Sequence, residues 1–264
     1  MESDEAIVQA RISRVLVVGA GAMGSGIAQV IAEAGIDVTL SDVDSPSLER
    51  GLAGIAARWD KAVSTGKREA DAVAGFKARL RTSDLSAARD VDLVIEAIVE
   101  RLPVKSALFT ELGELASPST ILASNTSSIS VTALATASGR PGQFVGLHFF
   151  NPVPVLPLVE IVRGMQTSQK TVDTAEQFVI QLGKTPVIVQ DSPGFVANRI
   201  LLPMINEAIF TLQDGVADAP GIDSVMKLGA AHPMGPLALA DLIGLDVCLD
   251  ILDTLHRDFG DDKY

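Results

Sequence analysis

The chain has 264 residues, of which 47% are hydrophobic, enough to bury a core in one large domain or in two smaller ones. Its formal net charge of -12 argues against nucleic acid as a partner, because an acidic surface repels the phosphate backbone. Cys248 is the only cysteine, which excludes an intrachain disulfide and a cysteine-cluster metal site, and we expect no bound metal.

Residues 1–10 carry three acids and no apolar run, which is unlike a signal peptide. No later segment approaches the roughly 18 apolar residues of a membrane span. We therefore expect a cytoplasmic protein with no membrane partner.

Short apolar runs rich in β-branched residues then alternate with helical stretches. This alternation predicts an α/β fold of Rossmann type, a doubly wound parallel sheet with helices on both faces. The segment 48–78 interrupts the pattern, because it is long, rich in alanine and charged, and we expect an inserted helical hairpin there. The predicted strands of this part cover residues 14–18, 37–40, 91–97, 120–124 and 144–149.

A glycine loop lies between the first predicted strand and the first predicted helix. Gly19 permits a tight turn, Gly21 leaves space for a pyrophosphate beside the backbone, and Gly24 lets the helix pack on the strand. The amides at the start of that helix would bind the phosphates, although a glycine-rich turn without a ligand is the alternative. The predicted cofactor-binding residues of the loop are Gly19, Ala20, Gly21, Ala22, Met23 and Gly24.

Asp42 follows the second predicted strand. Dinucleotide-binding folds place a carboxylate there that accepts the ribose hydroxyls of adenosine. A 2′-phosphate would meet this negative charge, and the neighbours Ser41, Val43 and Asp44 supply no cation. The sequence therefore predicts NAD rather than NADP.

The stretch from Arg50 to Arg89 is basic, with nine Lys or Arg residues against four acids. Solvated helix faces would account for this excess. A local basic surface that binds an anionic ligand would account for it equally well.

Histidine is the side chain best suited to act as a base near pH 7, and hydride transfer from an alcohol needs such a base. His256 lies on a polar helix face and His232 precedes a proline in a loop, so neither is favoured. His148 ends a predicted strand, and ligands of open α/β sheets gather at the carboxyl ends of strands. A histidine satisfied within the core is the alternative.

Glu160 lies among apolar neighbours in the predicted strand 158–162, where an unpaired carboxylate is costly. It could bond one imidazole nitrogen, which would fix the tautomer and stabilise the protonated ring. A surface carboxylate on an edge strand is the alternative. Residues 124–128 also follow a strand and carry hydroxyls and an amide, although such groups often only cap the next helix.

The pattern changes twice beyond the proline-rich connector 151–157. Strands and one helix are predicted first, at 158–162, 168–182 and 185–190. After Asp191 the strand signals vanish, and the remaining predicted elements are helices at 195–213, 222–228 and 236–258.

The sequence thus predicts an NAD-binding domain over residues 1–190. It predicts a helical domain for dimerisation and substrate binding over residues 191–264. The second domain is too small to build a thick core alone. Its apolar helices therefore favour a homodimer.

Six motifs taken together resemble the 3-hydroxyacyl-CoA dehydrogenases, and the likeness spans nearly the whole chain. The blocks that begin at Ser124 and His148 are the most specific of them, in this order and at this spacing. The motifs are GAGAMG at 19–24, IEAIVE at 95–100, SNTSS at 124–128, HFFNP at 148–152, DSPGF at 191–195 and PMGP at 233–236.

This resemblance implies that NAD oxidises an (S)-3-hydroxyacyl-CoA to the 3-ketoacyl-CoA, and that the reverse reduction also occurs. It implies a short-chain, 3-hydroxybutyryl type of enzyme within fatty acid β-oxidation. Members of this family usually continue beyond the position of Tyr264 with a short glycine-containing tail that carries a further lysine near the cofactor, and this sequence departs from them there.

The resemblance also implies residue roles. His148 matches the general base, and Glu160 matches the carboxylate that orients it. Ser127 matches a serine near the substrate oxygen and the nicotinamide, and Asn198 matches an asparagine that holds the reacting group. The family positions on the nicotinamide half of NAD are Glu100, Lys105 and Asn151, and the candidates for contacts with the CoA phosphates are Arg58 and Lys61.

Two other functions stay open. A related dehydrogenase could act on a free hydroxy acid or a sugar acid with the same fold and residues. A crystallin-like structural protein could keep the nucleotide loop without catalysis, although the intact Ser127, His148, Glu160 and Asn198 argue against it.

Overall fold

The computed structural model describes residues 11–264, so the acidic stretch 1–10 lies outside the described residues. The chain divides into two compact units, Met1–Asp191 and Ser192–Tyr264.

The strands of the first unit form one sheet, which has eight strands within the described residues. They are β1 Arg14–Val18, β2 Asp37–Ser41, β3 Leu80–Thr82, β4 Leu93–Glu96, β5 Ile121–Ser124, β6 Phe144–Phe149, β7 Leu158–Arg163 and β8 Thr185–Gln190. The helices of this unit are α1 Ala22–Glu33, α2 Ser45–Ser64, α3 Ala70–Arg79, α4 Leu102–Leu115, α5 Val131–Ala137 and α6 Gln169–Gln181, with short 3-10 turns at Leu85–Asp90 and Pro141–Gln143.

The strand order is β3-β2-β1-β4-β5-β6-β7-β8, and the first six of these strands run parallel. The order reverses between β1 and β4, the switch point at which open α/β sheets bind their ligands. The predicted doubly wound Rossmann-type sheet followed by a helical region is confirmed.

The sheet is not parallel throughout, because the strand direction changes at β7. This strand pairs antiparallel with β6, and β8 then runs parallel to β7. Only a short connector separates β6 from β7, whereas a parallel crossover needs a dozen or more residues. The strand β3 was not predicted from the sequence, because it has only three residues and none of them is buried.

The core of the first unit lies between the sheet and its helices. β1 is buried from Val15 onward, and α1 is buried through most of its length, with Ile27 and Ile31 fully enclosed. A helix enclosed in this way has no need of a polar face, which explains the alanine and isoleucine content of α1.

The inserted hairpin consists of α2 and α3. Asp44 caps α2 by accepting a hydrogen bond from the Ser47 amide at 2.9 Å, and Gly66 ends the first arm with φ of 68°. Trp59 is buried and donates from Nε1 to Glu33 at 2.8 Å, which ties the hairpin to α1. The predicted hairpin is therefore present.

The second unit is helical and contains α7 Ala197–Gln213, α8 Ala219–Gly229, α9 Pro236–Ile243 and α10 Leu245–Phe259. The single helix predicted over 236–258 is wrong, because Gly244 adopts φ of 101° and separates α9 from α10. Within residues 11–264, none of the helices combines the length and the hydrophobicity needed to cross a membrane. The buried cluster of this unit comprises Leu202, Ile205, Ala240, Cys248, Ile251 and Leu255.

Candidate active site and cofactor cleft

The glycine loop follows β1 at the carboxyl edge of the sheet. Gly19 has φ of 107°, and a Cβ atom there would lie 2.5 Å from the Ala97 carbonyl oxygen. A Cβ on Gly24 would lie 1.8 Å from the Gly19 carbonyl oxygen, so glycine is needed for α1 to cross the strand. A Cβ on Gly21 would meet nothing within 4 Å, which leaves open space beside the backbone at the start of α1.

A cleft of about 760 Å³ opens on this loop, a size typical of small-molecule sites. Asp42 lies in its wall, where Oδ2 accepts from the Ala20 amide at 2.7 Å and Oδ1 accepts from the Asp44 amide at 2.9 Å. Both carboxylate oxygens are thus fixed beside the glycine loop. Open space at Gly21, helical amides and an oriented carboxylate fit the pyrophosphate and the adenosine ribose of NAD.

The sequence reading around Asp42 missed one cation. The Arg50 guanidinium lies 3.6 Å from the Asp44 carboxylate, more than a helical turn into α2. Arg50 also lines a second, smaller cleft beside Gly21, which Arg58 shares. The assignment of NAD therefore rests on Asp42 and not on a lack of positive charge nearby.

His148 and Glu160 face each other across the antiparallel pair of β6 and β7. The Nδ1 atom of His148 lies 2.7 Å from Oε2 of Glu160, and the residues are only 6% and 2% exposed. The partner expected for the buried carboxylate is therefore this imidazole. The bond fixes the ring and offers a negative charge to the imidazolium form.

The loop after β5 is held by Glu100. Its Oε1 atom accepts hydrogen bonds from the Thr126 hydroxyl, from the Ser127 amide at 2.9 Å and from the Ser128 amide at 3.2 Å. Loss of solvent raises the pKa of Glu100, but the Lys105 ammonium, the Thr126 hydroxyl and the Ser127 amide outweigh it, so that the net pKa is lowered. Glu100 is thus an anion at neutral pH.

Asn125 connects this loop to the strand that carries His148. Its Oδ1 atom accepts from the Phe149 amide at 3.0 Å, and β5 pairs directly with β6. The structure therefore brings the Ser127 loop and the His148–Glu160 pair to neighbouring strand ends, on the same edge as the glycine loop.

Lys105 lies on α4 and is 1% exposed. Its Nζ atom lies 2.5 Å from Glu96 Oε1 and 3.0 Å from Glu100 Oε2. The resemblance implies a contact between this lysine and NAD, whereas the structure gives it two carboxylate partners within the protein. The resemblance also implies that Asn151 contacts the nicotinamide half of NAD. Asn151 is exposed and follows β6.

Sequence reasoning singled out residues 124–128 only as a group, and it gave Glu96 no role. Glu96 ends the strand β4, in which every residue is buried, and is itself fully buried. A carboxylate in an apolar strand indicates a buried group that needs a partner. This signal identified Glu160, and Glu96 carries it as well.

The two predicted CoA contacts differ in their surroundings. Arg58 donates from Nε to Gln29 Oε1 at 2.5 Å and lines the smaller cleft. Burial lowers the pKa of the Arg58 guanidinium more than the charge of Glu33 raises it, so the net pKa is lowered. Lys61 is exposed on α2 and is not among the residues that line that cleft.

Asn198 lies in the first turn of α7, in the second unit. Among the residues that the structure describes, there is no group of three or more His, Cys, Asp or Glu side chains that could hold a metal ion.

A dinucleotide cleft and a buried histidine–glutamate pair on one sheet edge are what an NAD-dependent dehydrogenase of alcohols requires. Comparisons with known proteins carry this further. The family model for the NAD binding domain of 3-hydroxyacyl-CoA dehydrogenase matches residues 14–192, and that for the C-terminal domain matches residues 194–264.

Relatives with similar sequences carry consistent names. A probable 3-hydroxybutyryl-CoA dehydrogenase of Deinococcus radiodurans is 53% identical over 94% of this chain and 89% of its own length. A 3-hydroxybutyryl-CoA dehydrogenase of Bradyrhizobium diazoefficiens is 49% identical over 96% of this chain and 87% of its own length. The crystal structure of an (S)-3-hydroxybutyryl-CoA dehydrogenase from Ralstonia eutropha matches with a TM-score of 0.93 and 45% identity, covering 96% of this chain and 90% of that one.

The chain belongs to the 3-hydroxyacyl-CoA dehydrogenase family. It is an oxidoreductase that acts on CH–OH groups, and its cofactor is NAD. The predicted family, enzyme class and cofactor are confirmed.

Proposed function

We propose that this protein oxidises (S)-3-hydroxybutyryl-CoA to acetoacetyl-CoA with NAD, and catalyses the reverse reduction. The observation that carries the proposal is the buried His148–Glu160 pair at 2.7 Å, on the sheet edge that also holds the glycine loop. The names of relatives at 49–53% identity support the short-chain substrate.

His148 acts as the general base. With Nδ1 held by Glu160, Nε2 is the ring nitrogen that takes the hydroxyl proton, and Glu160 stabilises the imidazolium that results. NAD supplies the acceptor for the hydride that leaves carbon 3. Ser127 holds the reacting oxygen beside the ring. The family resemblance gives Asn198 a part in holding the reacting group.

The cofactor lies in the cleft that Gly19, Ala20, Gly21, Ala22, Met23 and Gly24 open beside β1. Asp42 would hold its adenosine ribose, and Glu100, Lys105 and Asn151 would line its nicotinamide half. The CoA phosphates bind on the basic face of α2, where Arg58 and Lys61 supply positive charge. A CoA thioester is therefore preferred over a free acid.

Residues 1–190 form the NAD-binding domain, and residues 191–264 form a domain for dimerisation and substrate. Large apolar side chains on the second unit support a homodimer, because their exposure is hard to sustain in a monomer. Sedimentation of a single-chain mass at micromolar concentration would contradict this. The most exposed of these side chains are Ile200, Val216, Val225, Leu228, Leu242 and Leu245.

A cytoplasmic location and a role in fatty acid β-oxidation complete the proposal. The 3-hydroxybutyryl-CoA dehydrogenases among the relatives support both. Fractionation of the native cells, followed by immunodetection, tests the location.

NADH consumption tests the proposed reaction. Acetoacetyl-CoA should be reduced with a much larger kcat/KM than free acetoacetate, and His148→Gln should abolish most of this rate. His256→Gln is the matched control, since His256 is exposed on α10. Equal rates with the CoA ester and the free acid would refute the CoA preference, and an unimpaired His148→Gln would refute the base.

A further inference from the structure

Asn125 is the point at which the loop after β5 reaches the end of β6. The parallel pairing of these two strands ends at Ser124 and Gly146, so the last part of β6 extends beyond β5. On its other side, β6 stays paired with β7 as far as Phe149. The Asn125 side chain takes the place of the missing strand, because its Oδ1 atom accepts from the Phe149 amide at 3.0 Å.

This bond holds the peptide group next to the proposed base. The amide N–H of Phe149 belongs to the peptide bond that links Phe149 to His148, so the acceptor lies beside the His148 backbone. Phe149 is 2% exposed, and a buried amide without an acceptor is costly. Asn125 thus satisfies this amide and fixes the peptide group on the β5 side.

The imidazole of His148 is held by two other contacts. Its Nδ1 atom lies 2.7 Å from Glu160 Oε2, and the Phe150 ring packs against it with 4.5 Å between the ring centroids. Neither of these contacts involves the loop after β5, whereas the bond to Asn125 ties the His148 peptide to that loop.

The backbone of Asn125 is anchored independently of its side chain. Its amide donates to the Glu96 carbonyl oxygen at 2.8 Å, next to the paired residues of β4 and β5. Two residues later, the Ser127 amide donates to Glu100 at 2.9 Å. Because the loop is fixed at these points, the Asn125 side chain sets the position of β6 relative to it.

We propose that Asn125 is a positioning residue, which holds the His148 peptide and the Ser127 loop together so that the base and the hydroxyl meet the same substrate oxygen. The inference rests on the roles of His148 and Ser127 in the proposed function. Reacting groups must be placed closely, since a displacement of about 1 Å can lower a rate by about 100-fold.

Asn125→Leu tests the inference, because leucine has a similar shape but no acceptor for the Phe149 amide. Exchange of this amide, followed by NMR, should become about fivefold faster or more, as the loss of one hydrogen bond predicts. The kcat for the reduction of acetoacetyl-CoA should fall by about tenfold or more.

Asn125→Asp is the conservative variant, because its carboxylate still accepts from the Phe149 amide. It should keep the wild-type exchange rate of that amide. Its kcat for reduction should stay within about threefold of the wild type, since His148 is protonated in this direction and tolerates an added negative charge. A kcat as low as that of Asn125→Leu, with exchange unchanged, would overturn the inference.

Thr120→Val is the matched control for a loss of stability. The Thr120 hydroxyl is buried and donates to the Val91 carbonyl oxygen at 2.7 Å, at the amino end of β5 and away from the edge that holds the site. This variant also loses one bond between a side chain and the backbone, so it should lower the free energy of unfolding but leave kcat within about twofold of the wild type. A kcat lowered as much as in Asn125→Leu would overturn the inference.

A double-mutant comparison tests whether Asn125 joins the base to the loop. In the Ser127→Ala background, Asn125→Leu should lower kcat by at most about threefold further, because the hydroxyl that must meet the same oxygen is already gone. An equal loss in both backgrounds would overturn the inference.

Asn125→Ser keeps the inference testable if Asn125→Leu fails to fold, because its hydroxyl is polar but one bond shorter than the acceptor of asparagine. It should show the same faster exchange and the same direction of change in kcat. Unchanged exchange and kcat in either folded variant would overturn the inference.

Exchange of the Phe149 amide needs no substrate. A wild-type protein inactive on acetoacetyl-CoA would overturn the proposed function, and exchange alone would then decide whether Asn125 holds the His148 peptide.

Discussion

Glu160→Gln removes the negative charge beside His148 and keeps the shape of the side chain. The amide oxygen still accepts from Nδ1, so the ring keeps its orientation, but the imidazolium formed during oxidation loses its counter-ion. Both residues are buried, so solvent and salt screen this loss little. A hydrogen bond to a charged group contributes about 1.5–3 kcal/mol, which corresponds to a kcat lower by about 10- to 150-fold.

Initial rates in both directions measure this effect, with 3-hydroxybutyryl-CoA and NAD or with acetoacetyl-CoA and NADH. The KM for each acyl-CoA should change little, because Glu160 acts through His148 and not on the substrate. Glu114→Gln, at an exposed position on α4, serves as the control. Combined with His148→Gln, the Glu160 substitution should cost little more. A kcat within twofold of the wild type, or additive losses in the double variant, would refute the reasoning.

Three further predictions concern the cofactor cleft and the loop. Gly24→Ala places a methyl group 1.8 Å from the Gly19 carbonyl oxygen, and it should lower the free energy of unfolding in urea by about 1–3 kcal/mol or more. Gly21→Ala meets no such clash, so it should unfold like the wild type but bind NADH about tenfold more weakly. Asp42→Asn should raise the ratio of kcat/KM for NADPH to that for NADH by about tenfold, because a 2′-phosphate no longer faces a charge; an unchanged ratio would contradict this. The pKa of Glu100 is lower in the folded protein than its value of 4.5 in the unfolded chain, so its ionised carboxylate stabilises the fold. This stability is complete above pH 4.5 and is lost as the pH falls through the folded pKa. The difference in unfolding free energy between the wild type and Glu100→Gln should therefore narrow only below about pH 4.5.

The sheet and the glycine loop were predictable because both leave local signals. Apolar runs mark the strands, and the order of strand, glycines and helix is contained in residues 14–33. The direction of β7 was also accessible, since the connector before it is too short for a parallel crossover. The break at Gly244 was hidden by apolar residues on both sides of one glycine.

The buried ion pair of Glu96 and Lys105 could not be predicted in the same way. Glu96 and Lys105 lie nine positions apart across a turn, and Ser124 lies on the next strand, so only the folded sheet brings them together. The His148–Glu160 pair was more accessible, because two adjacent strands present a histidine and an isolated carboxylate. A lysine on a helix reads as solvated, and only its burial shows otherwise.

Transfer of deuterium tests the central claim most directly. The protein is incubated with acetoacetyl-CoA and NADH dideuterated at carbon 4 of the nicotinamide, and the 3-hydroxybutyryl-CoA formed is analysed by mass spectrometry. The account predicts one deuterium at carbon 3 of the product from the wild type and almost no product from His148→Gln. Product without deuterium, or equal product from the two proteins, would contradict it.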